Sequence, residues 1–284
     1  IYIFFNLPKW IVIFLPIFAS LRIIVDILNS LLQVNNKPLY FLGFSLTQTI
    51  IDVVLSLAFV ILLHLSFSGR IAGIYLAFLI CSIIAFFYLR KIDLINFSFN
   101  KDKMKSLIVF GAPLIPHAIC MTIISMSDRY FISYFVDNEN LGFYTVAYQL
   151  SGLMLLCSRS VNLAWVPIFF KYLKKNTKHS ILNAKKMLFQ ISTLFILTTT
   201  VLYFLKDILF NIFSNDDYIP AIKYFPILLL GFLFQSFYTV FTTYFFYFKN
   251  TFFLAKITVM MAVLNLILNL ILVQYFSVMG VAYA

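Results

Sequence analysis

The sequence predicts an all-α protein, a polytopic bundle of transmembrane helices, on three observations. Of its 284 residues 63% are apolar and 11% charged, with a mean hydropathy of +0.99, whereas a soluble domain carries about a quarter charged residues. Apolar stretches recur along the whole chain, each able to supply the roughly 20 residues that a hydrocarbon core about 30 Å thick requires. The cations between them alternate in density from one loop to the next, as expected where basic loops stay cytoplasmic.

The windows follow in order, bounded by their loops. The first, 10–34, ends at the loop 35–38 with Lys37, and the second, 39–65, leads through a short outer loop to the third, 70–90. The longest polar stretch, 90–105, comes next, with Arg90, Lys91, Lys101, Lys103 and Lys105. Beyond it lie 106–135, loosened near its start by Pro113 and Pro116, and 140–165, separated by Asp137 and Glu139. A second basic loop, 171–186, precedes 187–213, then the acids Asp207, Asp216 and Asp217, then 222–248, the loop 249–256, and 254–278. Residues 1–7 read as the tail of an earlier span. Strands of about ten alternating residues are excluded by runs such as ILLHL and LFILTTTVLYFL. Helices satisfy their own backbone hydrogen bonds in lipid.

The four basic loops hold 14 Lys and Arg, and the opposite loops hold four, Lys9, Arg70, Lys206 and Lys223. The net charge of +11 is therefore a topology signal. It is not a nucleic-acid footprint, which would interleave cations with aromatics on a soluble surface. Cys81, Cys120 and Cys157 all lie within apolar stretches, giving neither a disulfide framework nor a metal-ligand spacing. No nucleophile–base set, metal cluster or phosphate-cradling loop is present in the sequence, and no cofactor is expected. A faint internal echo pairs Val54-Leu55-Ser56-Leu57 and Gly73-Ile74-Tyr75-Leu76-Ala77 with Val263-Leu264-Asn265-Leu266 and Gly280-Val281-Ala282-Tyr283-Ala284, at an offset of 207 to 209 residues. Ala284 falls within a new apolar segment, so a fragment of a longer chain is expected.

Charges left inside the spans are the candidate functional residues, since each costs at least about 2.5 to 3.5 kcal/mol at the centre of a helix. Arg22 and Asp26 stand i, i+4 on one face. They form either a self-neutralised pair or an anion-binding arginine steadied by its acid. Gln48 and Asp52 share a face in the same way. Asp128 and Arg129 are adjacent and point about 100° apart, and Arg129 can also snorkel to the outer interface. Arg159, between Ser158 and Ser160, lies about three turns from Lys171 and is the best candidate for a phosphate contact. His117 follows the two prolines and either packs or meets a polar ligand, while His64 lies near a helix end.

The stretch GAPLIPHAICMTIISMSDRYFISYFVDNENLGFYTVAYQL at 111–150 and NLAWVPIFFKYLKK at 162–175 resemble the polysaccharide-biosynthesis (O-antigen) flippases. These belong to the multidrug, oligosaccharidyl-lipid and polysaccharide exporter superfamily. The resemblance rests on Gly111, Pro113, Pro116 and His117, on Ser127 to Phe131, on Gly142, Tyr144, Ala147 and Tyr148, and on Ala164, Trp165, Pro167, Phe169, Phe170 and Lys171.

The resemblance implies a two-lobed fold of twelve or more helices, of which this chain would span about helix four to helix eleven. Residues 1–90 would be the C-terminal half of the first lobe, 91–105 a cytoplasmic inter-lobe linker, and 106–284 the second lobe. It implies a flippase carrying an undecaprenyl-diphosphate-linked oligosaccharide across the bacterial cytoplasmic membrane, alongside membrane lipid and partner polymerase and chain-length regulator proteins. Arg22, Arg129, Arg159 and His117 would then contact substrate, and Asp26, Asp52 and Asp128 would couple transport to an ion. A cation-coupled drug exporter is the other transport reading. A membrane-embedded polymerase would need larger outer loops than these.

Overall fold

A computed structural model describes residues 9–35, 37–92, 94, 100–214 and 216–284. The reading of 1–7 as an earlier span lies outside these, as do 93 and 95–99 of the stretch expected to be a linker. The described residues are helical with no strand, and eight segments are long and apolar enough to cross a membrane. The chain divides into two compact units, Ile1–Phe99 and Asn100–Ala284.

The first unit contains α1 (Lys9–Val34), α2 (Pro38–Leu57) and α3 (Ser66–Lys91). Pro38 starts α2 at a position where its missing N–H goes unneeded. α2 runs into a π-helical turn, Ala58–Leu62, and the chain reverses through His64 and Ser66, both at positive φ (51° and 45°). α3 buries Gly69, Gly73, Ala77, Cys81 and Ala85, a stripe of small residues at every fourth position. That stripe lets α3 approach α2 closely, as small-residue faces do where lipid supplies no hydrophobic drive. A Cβ built on Gly73 would stand 2.7 Å from Ser56 Cα, so this crossing tolerates no side chain. Leu28 and Leu32 of α1 pack with Ala85 and Leu89 of α3.

The second unit contains α4 (Lys101–Gly111), α5 (Leu114–Phe135), α6 (Asn138–Ser151), α7 (Leu153–Lys175), α8 (Lys178–Phe204), α9 (Lys206–Phe213), a 3₁₀ segment (Asp216–Tyr224), α10 (Phe225–Tyr247) and α11 (Thr251–Tyr283). α4 and α5 form one span, Lys101–Phe135, bent at Pro113. The last part of the expected linker, 101–105, is thus already helix. α6 and α7 form another span bent at Gly152. The Asp137 carboxylate caps α6 by accepting from Asn140 N at 2.7 Å. Thr177 and Ser180 cap α8 reciprocally. α8 ends at Phe204 with Leu205 as its cap, so the window 187–213 is two helices with a bend. Within α11, Ser277 (φ 52°, ψ −134°) breaks the helix.

Trp165, Tyr144, Phe195 and Phe225 are wholly buried in the core of this unit, while Phe189, Phe204 and Phe252 stand more than 70% exposed. Rings that bare suit an apolar surrounding and not water. Hydroxyls on the spans return their hydrogen to the carbonyl four residues back, as Thr199 does to Phe195 and Ser236 to Phe232. Within hydrocarbon no water is available to take it.

Candidate functional site

In the first unit both candidate acids already have a cation. Arg22 Nε stands 3.7 Å from Asp26 Oδ2, with both side chains 62% exposed, which is the i, i+4 pair expected from spacing. Asp52 does not turn to Gln48. Its Oδ1 accepts from Arg70 Nη1 at 2.7 Å, and Ser56 Oγ donates to it at 3.1 Å. The same guanidinium also donates to Ser56 Oγ. Arg70, assigned from sequence to an outer loop, lies in the second turn of α3, and the pair joins α2 to α3 across the small-residue crossing.

The second unit holds the other polar centre. Asp128 on α5 accepts from Tyr144 OH at 2.5 Å and from Asn269 Nδ2 at 3.1 Å. Asn265 Oδ1 accepts from Ser127 Oγ at 3.0 Å and from Asn269 Nδ2 at 3.3 Å. This network ties α5, α6 and α11 together. Among the described residues every hydrogen-bond donor to the Asp128 carboxylate is neutral. Arg129 points elsewhere, as its position 100° round the helix requires: Nη1 donates to Ser125 O at 2.8 Å, and the guanidinium lies 4.7 Å from the centre of the Tyr148 ring, a cation–π distance.

Beside this network opens a cleft of about 470 Å³, whose walls include Asp128, Tyr148, Phe234, Gln235, Tyr238 and Asn265. His117 does not face Asp128. Its Nδ1 meets Thr258 Oγ1 at 2.8 Å, and Tyr238 OH meets the same oxygen at 3.2 Å, so a hydroxyl links the histidine to the cleft wall. Arg159 is exposed on α7 and, among the described residues, has neither an ion-pair nor a hydrogen-bond partner.

The structure therefore brings Asp128 and Arg129 to one centre, connects His117 to its edge, and pairs Arg22 with Asp26. It places Asp52 on Arg70 instead of on a residue chosen from sequence. Asn265, Asn269, Tyr144, Tyr148, Gln235, Tyr238 and Thr258 are not among the site residues expected from sequence, which are charged side chains and His117. A signal was present: an amide in an apolar span is nearly as conspicuous as a charge, and Asn265 and Asn269 are spaced i, i+4. Among the described residues no three His, Cys, Asp or Glu gather as a metal site would require.

A family model described as "Polysaccharide biosynthesis protein" matches residues 3–173, and one described as MatE matches residues 113–271. No curated protein matches the chain. A crystal structure of a MATE mutant is similar in fold, with a TM-score of 0.67 at 15% identity over 93% of this chain and 61% of that one. The chain thus spans about three-fifths of the length of that structure. Since each family model takes in more than half of the 284 residues, and the helical bundle repeats the MATE fold, the chain belongs to the polysaccharide biosynthesis protein family of the multidrug, oligosaccharidyl-lipid and polysaccharide exporter superfamily of membrane transporters.

Proposed function

We propose that this chain is part of a flippase that carries an undecaprenyl-diphosphate-linked oligosaccharide from the cytoplasmic to the outer leaflet by alternating access. The glycan would serve O-antigen or capsular polysaccharide assembly at the bacterial cytoplasmic membrane. The observation that carries this reading is Arg159. It lies 16 residues before the end of α7 at Lys175, about 24 Å along the helix at 1.5 Å per residue, and among the described residues its guanidinium meets no partner. A charge at that depth costs about 2.5 to 3.5 kcal/mol unless water or an anion offsets it. A diphosphate does so best, through paired charge-assisted bonds that match the guanidinium fork.

The other candidates take supporting roles. Arg22, with its long and exposed contact to Asp26, can exchange that carboxylate for a headgroup phosphate. Arg129 keeps donors beyond the one given to Ser125, and His117 sits where the glycan would pass the Pro113–Pro116 bend. For ion coupling Asp128 is the acid of choice. Asp26 and Asp52 are each neutralised by an arginine, whereas among the described residues Asp128 has neutral donors only and can exchange a proton or sodium without breaking an ion pair. Polymerase and chain-length regulator proteins are the partners this reading implies.

The test is Arg159→Ala, with Arg159→Lys alongside, in the full-length transporter, measuring surface polysaccharide against membrane protein level. Loss with Ala and partial retention with Lys is expected. Normal output at normal protein level with Ala would remove Arg159 from the mechanism. A second reading, a cation-coupled drug exporter, is favoured by the Asp128 carboxylate, which has no ion-pair partner among the described residues, beside an aromatic cleft. Resistance to cationic dyes abolished by Asp128→Asn, with polysaccharide unaffected, would select it.

A further inference from the structure

The cleft in the second unit has a lining more particular than a coupling ion requires. Gln235 lies ten residues into α10, a helix of 23 residues, so its amide sits near mid-span, yet among the described residues its side chain has no hydrogen-bond partner. Asn265 uses its carbonyl oxygen twice, while among the described residues its Nδ2 has no acceptor. Phe234 presents its ring at 69% exposure. Tyr238 and Tyr148 add two more rings, the latter packed edge-to-face on Phe232 at 5.0 Å. Amides at hydrocarbon depth lose several kcal/mol if left without a partner. The cleft therefore combines amide donors and an acceptor awaiting partners with flat apolar faces.

Charge narrows what fits. A cationic guest would meet the Asp128 carboxylate but would also approach the Arg129 guanidinium, which lies outside the lining and already occupies the Tyr148 ring. An anionic guest would approach the Asp128 carboxylate at the wall. A neutral molecule with hydroxyls around its edge and C–H groups on its faces satisfies both constraints, and that is the chemistry of a pyranose ring.

We propose that this cleft is a sugar subsite: Gln235 and Asn265 hydrogen-bond the hydroxyls of one neutral pyranose residue of the carried glycan, and Phe234 and Tyr238 pack against its faces. The proposal rests on the flippase reading and adds to it that the protein reads the glycan as well as the diphosphate. The lipid-linked diphosphate alone would bind through the arginines, and the first sugars would add affinity here.

The experiment places the full-length transporter in nanodiscs and measures binding of undecaprenyl diphosphate and of the same lipid carrying N-acetylglucosamine. Gln235→Leu is expected to weaken the glycosylated probe about tenfold, the upper range for one lost hydrogen bond, and to leave the sugarless lipid bound as in the parent. Phe234→Leu, at an exposed position where folding is not at stake, is expected to act in the same direction. Equal weakening of both probes, or no change in either, overturns the subsite. Parent protein that binds both probes equally well also overturns it while leaving the flippase reading intact, whereas parent protein that binds neither sinks both. Tetraphenylphosphonium bound by the parent and lost in Gln235→Leu would show a cation cleft and overturn the proposal.

Discussion

Replacing Tyr144 by Phe removes one hydroxyl from a wholly buried ring and alters no packing volume, so its effect reports the bond to Asp128 almost alone. That bond is short, 2.5 Å from OH to Oδ2, and a hydrogen bond to a charged group contributes about 1.5 to 3 kcal/mol. Asn269 Nδ2 at 3.1 Å still serves the other carboxylate oxygen, which places the expected loss at about 1.5 to 2 kcal/mol, the low end of that range. Asp128→Asn removes the acceptor charge, and in the double variant the hydroxyl and the carboxylate are both gone. The cycle should then return a coupling energy of about 1 to 2 kcal/mol, within the range found for residues in direct contact. The assay is reversible unfolding of the full-length transporter in bicelles, read by steric trapping. Tyr134→Phe, whose side chain is 83% exposed, serves as the control and should change nothing. A coupling below about 0.5 kcal/mol, the limit of additivity for independent sites, would refute the claim that this contact organises the α5–α6–α11 centre.

Two further outcomes are expected together. Arg70→Met leaves Asp52 without its cation. With the arginine 49% exposed the loss is screened to about 1 kcal/mol, and adding Asp52→Asn should restore stability in the same unfolding assay; no recovery would mean that the pair holds nothing. At the start of α6, the Asn140 backbone N–H and amide hold the Asp137 carboxyl below its ordinary 3.8. A depressed value means that the cap is at full strength above 3.8 and fades as pH falls through the lower folded value. Hydrogen exchange at the Asn140 amide, corrected for its intrinsic pH dependence, should therefore lose protection only in that acid window, and Asp137→Ala should lose it at every pH.

Helix number, span positions and the cationic loops are legible from composition because the bilayer sets a length and the insertion process a charge bias, neither of which depends on tertiary contacts. The bends are less legible. Leu205 carries no helix-breaking chemistry, yet α8 ends just before it, and the window 187–213 hides the break. Arg22–Asp26 is readable because both residues lie on one helix. Asp52–Arg70 is not, since 18 residues and a reversal separate the partners, and the register of two helices decides which side chains meet. The small-residue stripe on α3, at every fourth position from Gly69 to Ala85, is a local signal that marks the packing face in advance. The amide network around Asp128 carries the same kind of local signal, since the two i, i+4 asparagines of α11 mark a polar face as plainly as a charged pair.

The internal echo acquires a different register in three dimensions. Sequence matching sets Gly73 opposite Gly280, but the backbone sets Gly69 there. In Ser66-Phe67-Ser68-Gly69 and in Ser277-Val278-Met279-Gly280 a serine at positive φ (45° and 52°) reverses the chain, and the glycine three residues later meets backbone from before the turn. A Cβ at Gly69 would stand 3.0 Å from the Phe59 carbonyl oxygen, and one at Gly280 would collide with the Leu272 carbonyl and stand 3.0 Å from Val273 N. A tight reversal near the membrane surface leaves carbonyls exposed, and a glycine lets the returning helix cover them. Backbone on both sides of the contact leaves no rotamer to yield, so Gly280→Ala should destabilise the second unit by about 1 to 3 kcal/mol, the usual cost of overpacking. Gly69→Ala should cost the first unit somewhat less, because its overlap is milder. Bicelle unfolding of the two variants decides the matter. Gly280→Ala at parental stability would mean that the reversal at Ser277 is not held by this contact, and the correspondence between the two turns would fall with it.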